Sequence, residues 1–380
     1  MDFDFTEDQE SLRDAVRRWV DKGFPFERRH ALAKAGGATR EVWGELADLG
    51  LTGLTVSPDH GGMGFGPVEA MVVGEELGRG LVNAPYVHGA LLSPALLADA
   101  PAALQAAWLP KIADGSALVI PALQERAARY RVGHVTTRAA HSDASAGGWR
   151  LTGAKSVVPA GDEADAFIVA ARTAGDDHST EGIGLFLVER GADGLAVRGY
   201  PTHDGARAAD LTLSATPAQM ISADGAAALS FASDLGIAAV AAEGVGLMDR
   251  FVAITVEYLN TRKQFGVPIA SFQALRHRVA DVKMALELGR SMSYYATLKL
   301  GEPEPQRRRA LSQAKVQLGQ SMRTVGQQCV QLHGGIGVTD EYVGSHYFKR
   351  LTMLEMAFGD TLHHLGEVSA RMQDTAGVFA

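Results

Sequence analysis

The sequence has very little cysteine, no excess of positive charge and no long hydrophobic run. Its single cysteine, Cys329, excludes a disulfide framework and a cysteine-rich metal site. The formal net charge of −8 argues against a nucleic-acid-binding protein and provides no basic face for anionic lipid. No uninterrupted apolar stretch reaches membrane-spanning length, and the acidic segment Met1–Phe5 lacks the apolar run of a signal peptide. These absences predict a cytoplasmic protein without membrane insertion.

The residues that are present give an ordinary globular composition, 46% hydrophobic and 21% charged, in a chain too long for one compact core. Helical spacing dominates up to about residue 115. Short β-rich segments with turn signals follow up to about residue 225, and a long helical pattern then returns. We therefore predict an α+β fold with three domains: an N-terminal α-helical domain over residues 1–115, a central antiparallel β-sheet or barrel domain over 116–225, and a C-terminal four-helix bundle over 226–380.

Several local signals predict where elements begin and end. Thr6–Gln9 has the form of a capping box, and Pro67 stands where a first helical turn would start. Trp149–Thr152 alternates as a strand does, and the pair Gly153–Ala154 after it predicts a turn. The run Ala166–Ala171 is rich in β-forming residues and predicts a strand.

Two segments of the C-terminal third combine polar or cationic groups with glycines at the end of a long helical pattern. The first is Arg262–Gly266 and the second is Gln331–Gly335. Arginine binds a pyrophosphate with a planar fork of donors, glycine lets a backbone approach a phosphate or an adenine closely, and a neutral amide suits the edge of a base. The combination predicts a large anionic dinucleotide lying across helix ends.

The chain resembles the acyl-CoA dehydrogenase family over essentially its whole length. The likeness rests on the three-part plan and on five segments: the Gly61–Gly64 loop, the Trp149–Thr173 hairpin region, Arg262–Gly266, Phe272–Gln273 and Gln331–Gly335. Within the family the sequence looks most like the small-subunit type of pimeloyl-CoA dehydrogenase. The segments Gly344–Thr352 and Phe358–Leu365 carry that second likeness.

The resemblance implies FAD bound between the sheet domain and the helical bundle, with helices completing the site across a subunit interface. It also implies α,β-desaturation of an acyl-CoA thioester, in which a carboxylate removes the α-proton and the flavin accepts the hydride. Implied partners are an electron-transferring acceptor and further subunits, either in a homo-oligomer or in a heterotetramer with a homologous chain. By carry-over from the family, the FAD-binding residues are Arg262, Phe265, Gln273, Gln331, Gly334, Gly335 and Thr361.

The sequence departs from the family where the reactive ring and the catalytic base are expected. The two family positions for the catalytic glutamate correspond to Gly359 and Gly236. The segments that the resemblance places at the flavin ring read Leu123–Ala128 and Val157–Pro159, where valine cannot stack as tryptophan does and proline lacks an N–H. We therefore hypothesise that this chain completes a neighbour's FAD site while its own ring pocket is weakened or rebuilt. The rival hypothesis is a non-catalytic scaffold that retains the fold.

Two carboxylates are candidates for a base in place of the missing glutamate. Asp360 directly follows Gly359, with the alternative role of a helix N-cap. Glu243 lies two helical turns after Gly236 in an apolar helix, with the alternative role of partner to an arginine across the bundle. No metal site is predicted, because adjacent histidines such as His363 and His364 point apart on a helix.

Overall fold

A computed structural model describes residues 4–142, 148–179 and 181–372. The chain forms two compact units. We call one the helical unit; it contains the chain up to His30, Pro67–Val82 and the chain from Ile237 onward. We call the other the sheet unit; it contains Ala31–Gly66 and Asn83–Gly236.

The helices occupy both ends of the chain. In chain order they are α1 (Glu7–Gly23), α2 (Phe26–Lys34), α3 (Arg40–Asp48), α4 (Pro67–Arg79), α5 (Ser93–Leu97), α6 (Ala102–Ala113), α7 (Gly225–Thr261), α8 (Gln273–Lys299), α9 (Glu304–His333), α10 (Val343–Met356) and α11 (Thr361–Ala370). The long helices α8 and α9 pack on each other, and α10 and α11 pack against α9. The predicted helical bundle is therefore present in the helical unit.

The sheet unit contains a sheet of seven strands. They are β1 (Val119–Ala122), β2 (Arg138–His141), β3 (Gly148–Pro159), β4 (Ala166–Arg172), β5 (Ile183–Glu189), β6 (Leu195–Pro201) and β7 (Arg207–Ser222). The pairings β4–β2–β3–β7–β5 and β5–β4 close the sheet into a barrel, whereas β1 and β6 pair at its side. Most pairs are antiparallel, but β1 and β2 each run parallel to β4. The predicted α+β fold is confirmed, with these parallel pairs as the difference from a purely antiparallel sheet.

The local predictions are mostly confirmed. Thr6 caps α1 in a capping box with Gln9, and α4 begins at Pro67. The turn predicted at Gly153–Ala154 is wrong, because β3 continues through it and only its register shifts there. A side chain at Gly153 would come within 2.6 Å of the hydroxyl oxygen of Thr137. The glycine therefore permits a close approach within the sheet instead of reversing the chain.

Helix α7 is the one helix of the described residues that is long and apolar enough to cross a membrane by length and composition. Of its most apolar window, 67% is buried within the protein, as in a core helix of a globular domain. Its apolar run is interrupted by Glu243. Close packing explains the burial, since a side chain at Gly246 would collide with the backbone carbonyl of Glu75 in α4.

Candidate functional site: a dinucleotide-binding end and a polar pocket

The first predicted segment lies where α7 ends. Arg262 donates its backbone N–H to the carbonyl of Tyr258 at 2.8 Å, and its side chain is exposed. A short hairpin follows, in which β8 (Lys263–Gln264) pairs with β9 (Val267–Pro268). Phe265 and Gly266 form its turn with φ of 53° and 81°, as tight hairpin turns require. Phe265 is held out with 92% of its surface exposed.

The second predicted segment lies where α9 ends. Gly334 stops the helix with φ 65° and ψ −142°, a backbone conformation open to glycine. A Cβ added at Gly334 or Gly335 would meet no heavy atom within 4 Å, so the space beside this backbone is open. Gln331 is exposed one turn earlier on α9.

The buried side chain of His333 joins the two segments. Its Nδ1 lies 2.8 Å from the carbonyl oxygen of Cys329, and its Nε2 lies 2.9 Å from the hydroxyl of Tyr342. Burial lowers the pKa of His333, so the ring is neutral, donates to Cys329 and accepts from Tyr342. The ring also lies 4.7 Å from that of Tyr258, one turn before Arg262. The ends of α7 and α9 therefore meet at one end of the helical unit.

The residues at this end fit the adenine and pyrophosphate half of FAD. The side chains of Arg262, Gln273 and Gln331 are exposed and offer one cation and two amides. Phe265 offers an exposed ring face, and Gly334 leaves room for close approach. All of these groups face outward from the helical unit, so they are available to a dinucleotide held by another subunit.

Thr361, by contrast, faces into its own unit. Its N–H and hydroxyl donate to Oε1 of Glu355 at 3.1 and 2.7 Å, and the residue is buried. The hydroxyl is committed there, so its position does not support the expected contact with a dinucleotide. The sequence gives little indication of this contact. Glu355 lies near the end of the preceding helix, and only the fold brings its carboxylate to Thr361.

The turn that carries Asp360 is fixed by a cap and by a buried lysine. Asp360 caps α11, accepting the N–H of His363 at 2.8 Å, as its alternative role predicts. Lys315 of α9 is fully buried and donates to the carbonyls of Leu354, Glu355 and Gly359 at 3.1, 2.7 and 2.9 Å. Burial lowers the pKa of Lys315 to about 8.

Glu243 is engaged in an ion pair. Nε and Nη2 of Arg350 in α10 lie 2.5 and 2.9 Å from its two carboxylate oxygens. Glu243 is only 7% exposed, so this two-pronged pair is a structural contact of the kind that its alternative role predicts. Both carboxylate oxygens of Glu243 accept from Arg350, which favours the structural role over that of a base.

The sheet unit contains a polar cavity of about 420 Å³. We call it the ring-side pocket, because it includes residues of the two segments that the resemblance places at the flavin ring. Its lining residues are Gln124, Arg126, Ser156, Val157, Arg198, Tyr200 and Asp210. Val157, at the position where the resemblance predicts a stacking aromatic residue, is 45% exposed and has φ 53°, a strained conformation for a β-branched residue. The pocket presents two guanidinium groups, those of Arg126 and Arg198.

A buried ion pair fixes the backbone of this pocket. Nζ of Lys155 lies 2.7 Å from Oε1 of Glu125, and both side chains are almost fully buried. Glu125 also accepts the N–H and hydroxyl groups of Thr136 and Thr137. Burial alone raises the pKa of Glu125, but the Lys155 ammonium and the Thr136 donors outweigh burial and lower it to about 2. We call Glu125 and Lys155 the clamp pair; sequence reasoning did not single them out.

One group of described residues has the spacing of metal ligands, namely His30, Asp340 and His346. The Nδ1 of His346 faces Arg29 at 2.5 Å, and its Nε2 lies 2.8 Å from the carbonyl of Asp340. Lys349 lies 3.4 Å from the Asp340 carboxylate. The positive charges of Arg29 and Lys349 beside this group oppose the binding of a metal cation, so we do not assign a metal to it.

Three domains of one protein family match this chain in order along almost its whole length. Residues 6–116 match the acyl-CoA dehydrogenase N-terminal domain, residues 122–215 the middle domain and residues 225–373 the C-terminal domain. This chain belongs to the acyl-CoA dehydrogenase family. Its fold is that of the family, and its function is that of an FAD-dependent acyl-CoA dehydrogenase or of the supporting subunit of a heteromeric one.

Three relatives illustrate the likeness. The acyl-CoA dehydrogenase IpdE2 of Mycobacterium tuberculosis is 30% identical over 90% of this chain and 91% of its own length. The structure of the ChsE4–ChsE5 complex from Mycobacterium tuberculosis has a TM-score of 0.87 at 27% identity, over 99% of this chain and 100% of that chain. A variant of the steroid ACAD Tcur3481–Tcur3483 has a TM-score of 0.86 at 28% identity, over 98% and 99%.

Proposed function

We propose that this chain is the supporting subunit of a heteromeric acyl-CoA dehydrogenase. In this assembly a homologous subunit provides the flavin-ring pocket and the catalytic glutamate. This chain provides the outward-facing end of its helical unit, with Arg262 on the pyrophosphate, Phe265 and Gln331 near the adenosine, and Gln273 beside them. FAD, when bound, supplies the hydride acceptor, and this chain's groups hold and orient its nucleotide half.

The observation that carries this proposal is the separation of retained and altered features within one chain. The dinucleotide end has its cation, amides, exposed ring and open glycines. The two positions that the resemblance gives for the base hold Gly236 and Gly359, and the ring-side pocket has Arg126 and Arg198 among its lining residues. A chain that bound and used its own flavin would need both halves.

The relatives and the sequence support a heteromer and a substrate class. Two of the similar structures are named as two-component assemblies, ChsE4–ChsE5 and Tcur3481–Tcur3483, and one of these is named a steroid ACAD. We propose an acyl-CoA substrate with a sterol-side-chain or dicarboxylyl group. The segments Gly344–Thr352 and Phe358–Leu365 favour the small-subunit type of pimeloyl-CoA dehydrogenase. We also propose that the chain has three domains and lies in the cytoplasm, and that the assembly passes electrons to an electron-transferring acceptor.

A second candidate is a homomeric enzyme that uses Asp360 as its base. The observation in its favour is position, since Asp360 directly follows the residue at the family's glutamate position and is not fully buried. Its cap bond to His363 holds one carboxylate oxygen at the start of α11. A homomer with this base would reduce its own flavin when given substrate. If no preparation contains flavin, the chain is the non-catalytic scaffold.

The test is flavin content and turnover in two preparations. The chain is purified alone and after co-expression with a glutamate-bearing homologue, and flavin absorbance is compared with protein concentration. We expect almost no flavin in the first preparation and one flavin per two chains in the second. The Arg262→Ala variant removes a pyrophosphate contact and lowers flavin retention in the second preparation, whereas Arg18→Ala, an exposed arginine of α1, serves as the matched control. Full flavin occupancy and turnover of the chain alone would refute the proposal.

A further inference from the structure

We propose that the ring-side pocket of this chain is a binding site for an anionic group, a carboxylate or a phosphate, with Arg126 as the binding cation. This inference rests on the proposed function, because a chain with its own catalytic flavin would need this pocket for the ring. The shared chemistry is an anionic oxygen group on an acyl-CoA-type ligand. It reaches the pocket either as the free carboxylate of a dicarboxylyl chain or as a phosphate of coenzyme A.

Arg126 is the available cation of the pocket. Within the described ranges its guanidinium makes no hydrogen bond and no ion pair, and the residue is exposed at the cavity. Arg198, the other arginine of the lining, is engaged, since its Nη2 lies 2.8 Å from Oδ2 of Asp210. One fork of donors therefore remains for a ligand.

Asp210 does not cancel the charge of Arg126. Its carboxylate accepts from Arg198 at 2.8 Å, from the Tyr200 hydroxyl at 3.1 Å and from the N–H of Val157 at 3.3 Å. The Arg198 hydrogen bond is the largest effect on Asp210 and lowers the pKa of its carboxyl. The carboxylate is thus neutralised by Arg198 and bonded on both oxygens. The lining as a whole has one positive charge in excess, that of Arg126.

Neutral polar groups surround this charge. The Gln124 amide and the Ser156 hydroxyl line the same cavity, and neither side chain has a hydrogen-bond partner among the described residues. The backbones of these two residues are joined, because the N–H of Ser156 donates to the carbonyl of Gln124 at 2.9 Å. Both side chains can donate to an anionic oxygen held by Arg126.

The clamp pair fixes the backbone from which these groups project. Glu125 stands between Gln124 and Arg126, and Lys155 directly precedes Ser156, so the buried 2.7 Å contact joins both walls of the pocket. The clamp pair is itself neutral overall and adds no net charge. At about 420 Å³ the cavity lies within the range of small-molecule sites, roughly 300 to 1,000 Å³. The site is therefore an open depression lined mostly by polar side chains, with one uncompensated positive charge.

The experiment measures binding of three ligands to the full chain by calorimetry. The ligands are coenzyme A, pentanoyl-CoA and glutaryl-CoA, which differ in the presence of an acyl chain and of a terminal carboxylate. The proteins are the wild type, Arg126→Gln and the matched control Arg129→Gln. Arg129 is exposed on the same loop but does not line the pocket.

Either of two results supports the site, and each identifies which anionic group of the ligand binds there. If a carboxylate binds there, glutaryl-CoA binds about tenfold more tightly than pentanoyl-CoA, and this difference is lost in Arg126→Gln but kept in Arg129→Gln. If a phosphate binds there, Arg126→Gln weakens all three ligands alike by about tenfold. Unchanged affinities in Arg126→Gln, or no binding of any ligand by the wild type, would overturn the inference.

The flavin content of the same preparations separates this inference from the proposed function. A wild-type chain that contains one flavin per chain contradicts the supporting-subunit role, whatever its affinity for the three ligands. A chain without flavin that also binds none of them contradicts only the anion site.

Discussion

Replacing Glu125 by glutamine tests whether the clamp pair stabilises the sheet unit. The change removes the negative charge beside Lys155, whose side chain has no exposed surface, and leaves that ammonium buried without its counter-ion. It also places an amide N–H₂ against donors from Thr136 and Thr137. Removing one partner of a buried ion pair costs about 3–5 kcal/mol. Because the glutamine carbonyl still accepts some of these bonds, we expect a loss of about 3 kcal/mol.

Urea unfolding followed by tryptophan fluorescence measures this loss. The same measurement on Lys155→Met and on the double variant completes a thermodynamic cycle, and we expect a coupling of at least about 1 kcal/mol between the two residues. Glu189→Gln, an exposed glutamate of the same sheet, is the matched control and changes stability by less than about 0.5 kcal/mol. Additive effects in the cycle, or a loss in Glu125→Gln no larger than in the control, would refute the reasoning.

The pH dependence of stability has a definite sign for Glu125. Its pKa is lowered to about 2 in the folded chain from an ordinary value of 4.5. Between these values the unfolded chain binds more protons, so the stabilisation is complete above pH 4.5 and is lost as the pH falls through 2. Glu125→Gln therefore has a shallower loss of stability in acid than the wild type.

The remaining predictions concern the helical unit. Lys315→Met leaves three backbone carbonyls without a donor and lowers the free energy of unfolding by about 3 kcal/mol; an unchanged denaturation midpoint would contradict this. Burial raises the pKa of Glu75 to about 7 despite the nearby Arg290, so the folded chain binds a proton more tightly and loses stability as the pH rises from 4.5 to 7. Glu75→Gln removes this loss, worth up to about 3 kcal/mol, and a wild type and variant with parallel pH profiles would show otherwise. Asp360→Asn keeps a good helix cap and leaves flavin reduction in the heteromer unchanged, as stopped-flow absorbance will show; abolished reduction with flavin still bound would make Asp360 the base.

Local sequence patterns predicted those elements whose boundaries depend on neighbouring residues. The Thr6 capping box and the helix start at Pro67 require only local hydrogen-bonding and backbone preferences. Gly153 was misinterpreted as a turn because its reason is not local. The strand passes close to Thr137, and nothing in the residues beside Gly153 reveals that neighbour.

The residues of the candidate site also fall into those that the sequence predicted and those that it did not. Arg262 and Gln331 were predicted to meet one ligand from their types and settings, and the contact between Tyr258 and His333 brings their segments together. The buried roles of Lys315 and of the clamp pair were missed because a charge inside a protein is explained by its tertiary partners. Lys315 did give a signal, since it lies within an apolar helical stripe where a charge has to find acceptors.

The most direct test of the account is the ratio of flavin to chain in the assembly formed with a glutamate-bearing homologue, measured beside the chain purified alone. We predict one FAD per two chains in the assembly, a marked loss of that FAD when Arg262 is replaced by alanine, and almost none in the chain alone. One FAD per chain in the isolated protein, retained after replacement of Arg262, would contradict the central claim that this subunit holds the nucleotide half of a flavin whose ring lies in its partner.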